Sequence, residues 1–331
     1  MSHRPNLKSL SDQVLLITGA SSGIGLVTAR AAAGRGASVV LVARNETALR
    51  AIVADIVAKG GKAVYAVADV GDEMQVRAAA DTAITRYGRI DTWVNCAGVA
   101  IYAPLLDTPT DEHERLFRTN YFGVVNAARV AVPHLRQRGG ALITVGSIVG
   151  DIASPIMGAY SASKHAVKGY VDSLRLELNA GGVPVAVTLI KPAGIDTPIG
   201  AHAANHMDGE AMIPPPAYAP ELVSDAILDA AQHVRRDVTV GGAGRAEVLA
   251  ATHFPGLYAR LGGLFAPVLS DRSVAKTPGN NLDAPASGGE ERSRTSHGRR
   301  VSLYTNRGAI FGVLATIGLA TATARLLRRQ R

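Results

Sequence analysis

The chain contains the stretch Gln13-Val-Leu-Leu-Ile-Thr-Gly-Ala-Ser-Ser-Gly-Ile-Gly25, which passes from an apolar run into a glycine-rich turn. The apolar residues 14–18 predict a buried strand, and residues 23–34 predict a helix. A glycine-rich turn between a strand and a helix lets the backbone approach a pyrophosphate and directs the helix amides at it. A glycine pattern alone is a weak signal, but its position between a strand and a helix predicts a dinucleotide site.

Beyond this stretch, segments with strand and helix patterns alternate along the chain to residue 240. Such alternation predicts an α/β protein, here a Rossmann-type doubly wound parallel sheet of about seven strands flanked by helices. Because the glycine-rich turn follows the first strand, we expect the ligand crevice at the carboxyl ends of the strands. The predicted strands are 14–18, 38–43, 63–67, 92–95, 141–145, 184–190 and 238–240, and the predicted helices are 23–34, 46–59, 73–87, 111–138, 157–180 and 221–233.

A second motif consists of Ser147, Tyr160 and Lys164. Tyr160 and Lys164 stand four positions apart in a predicted helix, so their side chains share one face. An ammonium beside a phenol favours the phenolate and lowers the tyrosine pKa from its ordinary value of about 10. A tyrosine with a lowered pKa exchanges protons with an alcohol or a ketone near neutral pH, while a nearby hydroxyl holds the substrate oxygen. The motif therefore predicts the proton chemistry of a carbonyl/alcohol redox couple.

With both motifs present, the chain resembles the short-chain dehydrogenase/reductase (SDR) family over about residues 10–245. Two positions depart from the family pattern: Cys96 replaces a common Asn, and Ala193 replaces a usual Gly. Neither change removes a group that takes part in chemistry. The resemblance rests on Thr18-Gly-Ala-Ser-Ser-Gly-Ile-Gly25, Asp69-Val70, Asn95-Cys-Ala-Gly98, Asn120, Ser147, Tyr160-x-x-x-Lys164 and Pro192-Ala-Gly-Ile-Asp-Thr197.

The resemblance implies four catalytic residues. Ser147 would bind the substrate oxygen, and Tyr160 would be the general acid/base. Lys164 would lower the tyrosine pKa and bind the nicotinamide ribose, while Asn120 would bend its helix and hold a water that links Lys164 to solvent. No metal site is predicted. The residues implied in cofactor binding are Gly19, Ser21, Ser22, Gly23, Ile24, Gly25, Arg44, Asp69, Val70, Asn95, Ala97, Gly98, Tyr160, Lys164, Pro192, Ile195 and Thr197.

The residues after the second predicted strand indicate which nicotinamide cofactor is bound. A carboxylate there would bind the adenosine ribose and repel a 2′-phosphate. The sequence instead has Ala43 and Arg44, and a guanidinium suits a phosphate. We therefore expect NADP(H) rather than NAD(H). Without the resemblance to the family, the simpler interpretation of Arg44 would be a solvated arginine at the end of a strand. Asp69 would contact the adenine ring, or alternatively cap the next helix.

These residues predict an oxidoreductase that interconverts a secondary alcohol and a ketone or aldehyde. Residues 198–220 follow the expected nicotinamide loop and would cover the substrate, and their small and apolar composition favours a lipophilic one. In the family, helices equivalent to 111–138 and 157–180 pair across a two-fold axis, so a homodimer or homotetramer is expected. The alternative function is a non-catalytic nucleotide-binding scaffold or sensor at a membrane.

The distribution of charge argues against a nucleic-acid partner. The chain carries a net charge of +8, but residues 271–331 hold eleven Lys/Arg against four Asp/Glu. Residues 1–270, with 24 basic and 23 acidic side chains, are nearly neutral. The chain has a single cysteine, which excludes an intrachain disulfide and fits a reducing compartment.

The composition divides the chain into a catalytic domain (1–270), a disordered linker (271–306) and an apolar segment with basic flanks (307–331). Residues 308–324 form 17 positions without a charge, at the lower limit for a transmembrane helix, which snorkelling of Arg325 would extend to residue 327. The segment could span a membrane, lie in its interface, or pack as an ordinary helix. We expect a membrane-associated protein with its catalytic domain in the cytoplasm, the alternative being a soluble cytoplasmic enzyme.

Overall fold

The computed structural model describes residues 5–294 and 297–302. Its strands are β1 (Val14–Thr18), β2 (Ser38–Ala43), β3 (Lys62–Val67), β4 (Thr92–Asn95), β5 (Ile101–Tyr102), β6 (Gly140–Val145), β7 (Val185–Pro192), β8 (Ala204–Asn205), β9 (Glu210–Ala211), β10 (Asp237–Val240) and β11 (Ser270–Asp271). Its helices are α1 (Gly23–Gly34), α2 (Glu46–Ala58), α3 (Glu73–Tyr87), α4 (Thr110–Phe117), α5 (Gly123–Leu135), α6 (Gly158–Ala180), α7 (Pro220–Gln232), α8 (Gly242–His253) and α9 (Pro255–Gly262).

Seven parallel strands form the central sheet in the order β3-β2-β1-β4-β6-β7-β10. Side chains alternate across it, so Leu15 and Ile17 pack with helices α1, α2 and α7, whereas Val14 and Leu16 pack with α3, α5 and α6. Both faces of the sheet are therefore covered, which confirms the predicted doubly wound Rossmann-type fold. The chain order reverses between β1 and β4, and a ligand crevice is expected at that point.

The long helix predicted for residues 111–138 is not continuous. A π-helical turn, Arg118–Phe122, separates α4 from α5. Within it, Asn120 is 1% exposed, and its side chain pairs with both backbone groups of Val99. An extra residue in one helical turn is a common feature of functional sites. The periodicity of the sequence alone predicts an unbroken helix, because the partner of Asn120 lies 21 positions away.

The described part of the C-terminal region lies against the catalytic domain. Strand β11 pairs antiparallel with β9, and the buried carboxylate of Glu210 accepts hydrogen bonds from Thr277 N (2.6 Å) and Thr277 Oγ1 (2.8 Å). For the described residues 271–294 and 297–302, this differs from the disordered linker expected over 271–306. The physical reason is that a polar segment forms no core of its own but gains order when the domain offers partners for its backbone.

The predicted anchor, residues 307–331, lies outside the described residues. Among residues 5–294 and 297–302, no helix combines the length and the apolar character needed to cross a membrane.

Candidate active site

The glycine-rich turn brings two backbone segments into close contact. Gly19 has a φ of 68°, and a Cβ on Gly25 would lie 2.3 Å from the Gly19 carbonyl oxygen. Side chains are therefore excluded at both positions. The hydroxyl of Thr18 accepts hydrogen bonds from the amides of Cys96 (3.1 Å) and Ala97 (3.2 Å), which fastens the end of β1 to the end of β4. The turn thus forms a cradle of bare backbone at the start of α1, which fits a pyrophosphate.

A cavity of about 300 Å³ lies at the carboxyl ends of the central strands. It brings together the two motifs, which stand more than a hundred residues apart in the sequence. Asn95 and Asn120 do not line it. The predicted residues that do are Gly19, Ser21, Ser22, Gly23, Ile24, Gly25, Arg44, Asp69, Val70, Ala97, Gly98, Ser147, Tyr160, Lys164, Pro192, Ile195 and Thr197.

Asn95 and Asn120 instead hold the walls of the cavity in place. The side chain of Asn95 donates to Thr144 Oγ1 (3.2 Å) and accepts from Trp93 Nε1 (2.9 Å), so it ties β4 to β6. The side chain of Asn120 binds the Val99 amide (2.9 Å) and carbonyl (3.0 Å). Both asparagines position backbone next to the cavity.

The pair Tyr160 and Lys164 shows a geometry that the spacing alone does not predict. The Lys164 ammonium donates to the Val145 carbonyl (3.0 Å) and lies 5.5 Å from the centroid of the Tyr160 ring. Lys164 is 6% exposed, and burial lowers its pKa from 10.5 to about 8.

Burial also raises the pKa of Tyr160 above its ordinary value, and a hydrogen bond with Ser147 opposes this shift only in part. Tyr160 lines the cavity and remains partly exposed. The expected lowering of the tyrosine pKa by Lys164 is therefore not found in the protein alone. The reason is that the ammonium is directed at a backbone carbonyl, while loss of hydration acts on both groups.

Arg44 and Asp69, the two residues expected to contact the adenosine part of a cofactor, both line the cavity. The Arg44 guanidinium donates to the carbonyls of Leu282 (3.3 Å) and Asn281. The Asp69 carboxylate accepts from the Gly71 amide (2.8 Å), whereas α3 is capped by Asp72. The alternative interpretation of Asp69, as the cap of the next helix, is therefore wrong.

Asp196, to which sequence reasoning gave no role, lies in the loop next to the cavity but does not itself line the cavity. It is 1% exposed, and its carboxylate accepts hydrogen bonds from Ser293 Oγ (2.8 Å) and from the amides of Ser293 (3.1 Å) and Gly298 (3.0 Å). These contacts connect the loop Pro192–Thr197, which is next to the cavity, to the C-terminal region. The sequence does contain a signal for this role, since Asp196 is the one carboxylate in the otherwise uncharged loop Pro192–Thr197.

The remaining wall of the cavity is largely apolar. Of the ionisable groups in the segment 198–220, only His202 lines the cavity. His206 pairs with Glu112 (2.8 Å), and Glu210 binds Thr277. Burial lowers the pKa of His202, which favours its neutral form. Apolar residues in this wall include Val149, Met157, Ile199, Ile213, Pro214 and Leu269, and the carboxylate-bearing Glu247 also lines the cavity.

Two solved structures share the fold. A short chain dehydrogenase/reductase from Burkholderia phymatum in complex with NAD has a TM-score of 0.68 at 25% identity, covering 78% of this chain and 96% of that one. A short chain dehydrogenase from Burkholderia cenocepacia in complex with NADP has a TM-score of 0.65 at 29% identity, covering 77% and 99%.

Relatives in sequence lead to the same family. The uncharacterized oxidoreductase YxnA of Bacillus subtilis is 46% identical over 258 residues, 77% of this chain and 72% of that protein. Dehydrogenase/reductase SDR family member 7B of Danio rerio is 32% identical over 270 residues, 78% of this chain and 86% of its own. The family model described as short chain dehydrogenase matches residues 13–208. The chain therefore belongs to the short-chain dehydrogenase/reductase family of oxidoreductases.

Proposed function

We propose that the protein is an NADP(H)-dependent oxidoreductase that interconverts a lipophilic ketone or aldehyde and the corresponding alcohol. The observation that carries this function is the convergence of Ser147, Tyr160 and Lys164 on the cavity that also holds the glycine-rich turn. A proton donor and a cradle for a dinucleotide in one cavity are the two parts that carbonyl reduction requires.

In the reducing direction, Ser147 holds the carbonyl oxygen and Tyr160 donates its phenolic proton to that oxygen. The hydride that a bound nicotinamide would supply to the carbonyl carbon carries two electrons and one proton, and with the proton from Tyr160 it completes the alcohol. The raised pKa of Tyr160 keeps the phenol protonated before the reaction. The Lys164 ammonium, present below a pKa of about 8, stabilises the tyrosinate that forms. Asn120, whose side chain also binds Ser163 Oγ (3.1 Å), supports the path by which the proton is replaced.

The substrate class follows from the apolar wall of the cavity. Burying a methylene group against such a wall is favourable by about 0.8 kcal/mol. A sugar or a carboxylic acid would instead lose hydration there without a matching set of charged partners. The direct test is the oxidation of NADPH by purified protein with steroids, quinones, lipid aldehydes, 3-ketoacyl compounds and polar sugars. Turnover of sugars in preference to every apolar carbonyl would contradict this substrate class.

The Arg44→Ala substitution is expected to weaken NADPH binding by about 1.5–3 kcal/mol more than NADH binding, the value of a charged hydrogen bond. The 2′-phosphate that distinguishes the two cofactors would face this guanidinium. Titration of both cofactors, followed by the fluorescence of the reduced nicotinamide, measures the difference. NADH serves as the internal control, because any general damage to the site affects both cofactors. Equal losses for NADPH and NADH would refute the assignment.

We also propose that residues 308–327 attach the enzyme to a membrane. Exposed apolar side chains on and beside α9 support this, namely Phe254 (64%), Leu257 (56%) and Leu264 (71%). In cell fractionation, the full chain is expected with membranes, and a chain that ends at Ser302 in the soluble fraction. The shorter chain keeps every contact described above. Recovery of the full chain in the soluble fraction alone would refute the anchor.

The homodimer or homotetramer remains a prediction. Such an interface would cover two exposed apolar side chains. Phe122 (52% exposed) directly precedes α5, and Leu176 (71% exposed) lies in α6.

A further inference from the structure

Residues 279–294, here called the strap, cross the adenosine side of the cavity. Arg44 donates to the carbonyls of Asn281 and Leu282, and Asn45 Nδ2 donates to the Ala286 carbonyl (2.9 Å). The strap therefore fastens onto the two residues that directly follow β2.

Farther along, the strap contacts the glycine-rich turn itself. The Gly289 amide donates to the Ser21 carbonyl (2.8 Å), and the Gly23 amide donates to the Glu290 carbonyl (2.8 Å). The strap thus reaches across Arg44, which is expected to bind the 2′-phosphate, and across the glycine-rich turn, which is expected to bind the pyrophosphate.

Both ends of the strap are held to the domain. Leu282 is 5% exposed and packs in an apolar cluster with Val99 and Leu116, so burial stabilises this end. At the other end, Ser293 binds the buried carboxylate of Asp196. Arg115 and Asp283 add an ion pair (2.7 Å), which is partly exposed and contributes little.

The strap covers the cavity without filling it, although its Glu290 carbonyl occupies the single N–H of Gly23 in the glycine-rich turn. Asn281, Pro285, Ala286 and Ser287 line the same space as Ser21, Arg44 and Asp69, so the strap forms a wall of the cavity. Its contact with Arg44 does not consume the guanidinium, because an arginine has five N–H donors and two carbonyls leave donors for a phosphate.

We propose that the strap is part of the cofactor site, where it encloses the adenosine half of the bound dinucleotide and must open for the cofactor to leave. This inference rests on the proposed nicotinamide-dependent function. A segment that makes few apolar contacts can open locally while the rest of the domain stays folded. Because the cofactor leaves only when the strap opens, the opening step is expected to limit the rate of cofactor release. The carbonyls of Asn281 and Leu282 also orient Arg44 toward the space beneath the strap.

Gly288→Val tests the proposal at a position that does not line the cavity. A Cβ on Gly288 would lie 2.5 Å from Ala48 Cβ and 3.1 Å from the Ser21 carbonyl oxygen, so the valine displaces the strap. A second variant, Leu282→Asp, places a charge in the apolar cluster that holds the strap. Ala284→Val is the matched control, because Ala284 is exposed within the same segment.

The measurement is the dissociation rate of NADPH in the full chain, followed by fluorescence after mixing with excess NADP+. Both strap variants are expected to release NADPH about tenfold faster than the wild type and the control, with a smaller change in association rate. Hydrogen exchange of residues 279–294 is expected to slow when NADPH binds to the wild type. Unchanged dissociation in both variants would overturn the proposal. Tighter NADPH binding in the variants would also overturn it, because the strap would then block the site.

The same measurement separates this inference from the function on which it rests. Wild-type protein that binds neither NADPH nor NADH would refute the proposed function and, with it, the enclosing role of the strap. If the wild type binds NADPH normally and the strap variants release it at the wild-type rate, only the role of the strap is refuted.

Discussion

Tyr160→Phe is expected to lower the rate of ketone reduction by about 10³-fold, within the range of 10²–10⁴ usual for the loss of a general acid. The phenylalanine keeps the ring in the cavity wall but removes the proton that neutralises the developing alkoxide. The remaining activity would come from the orientation of the two reactants and from Ser147, whose hydroxyl still contacts the substrate oxygen.

The variant is informative only if its site remains intact. Its dissociation constant for NADPH is therefore expected to stay within about threefold of the wild-type value. Tyr170→Phe is the matched control, because Tyr170 lies on the same helix, α6, and packs edge-on against Tyr121 (ring centroids 6.0 Å apart). Steady-state rates with one ketone compare the three proteins. Tyr160→Phe activity equal to that of the control would refute the general-acid role.

The second large effect concerns stability and pH. Burial lowers the pKa of Lys164 to about 8 in the folded protein, against 10.5 for an ordinary lysine. Between these values the unfolded chain binds more protons than the folded chain, so the wild type gains stability as the pH rises. Below pH 8 both states are protonated, and the full cost of burying the ammonium is present. Relative to Lys164→Met, the wild type is expected to gain about 3 kcal/mol between pH 8 and pH 10.5.

Urea unfolding of the wild type and Lys164→Met across this pH range measures the difference in the free energy of unfolding. Other titrating groups are common to both proteins and cancel in the difference. The plateau expected between pH 6 and pH 8 serves as the internal control. A difference that stays constant from pH 7 to pH 10.5 would show that Lys164 has an ordinary pKa in the folded protein.

Sequence reasoning located the central sheet and its first helices almost to the residue. The strand Val14–Thr18 and the helix Gly23–Gly34 have the predicted bounds. Their signals are local, because burial on both faces produces an apolar run and the close approach of backbone at Gly25 demands glycine. The gathering of Ser147, Tyr160 and Lys164 beside the glycine-rich turn also follows from sequence, once parallel strands place their carboxyl ends at one edge of the sheet.

Helices α8 and α9 were not predicted, because local sequence signals for them are weak. Residues 242–262 contain several glycines, which lower the intrinsic helix propensity. Their order comes partly from packing, since Val248 joins an apolar cluster with Ile148 and Ile152, about a hundred positions earlier. A window of sequence does not contain that partner.

The sequence by itself determined the fold class and the family motifs, because each of these is written in short-range patterns. Only the tertiary structure decided the protonation preferences of Tyr160 and Lys164, since desolvation depends on everything packed around them. It alone also placed the polar residues 279–294 over the cavity. Their composition predicts disorder, yet the partner of Leu282 is Arg44, 238 positions away, and contacts at that distance are invisible to local composition.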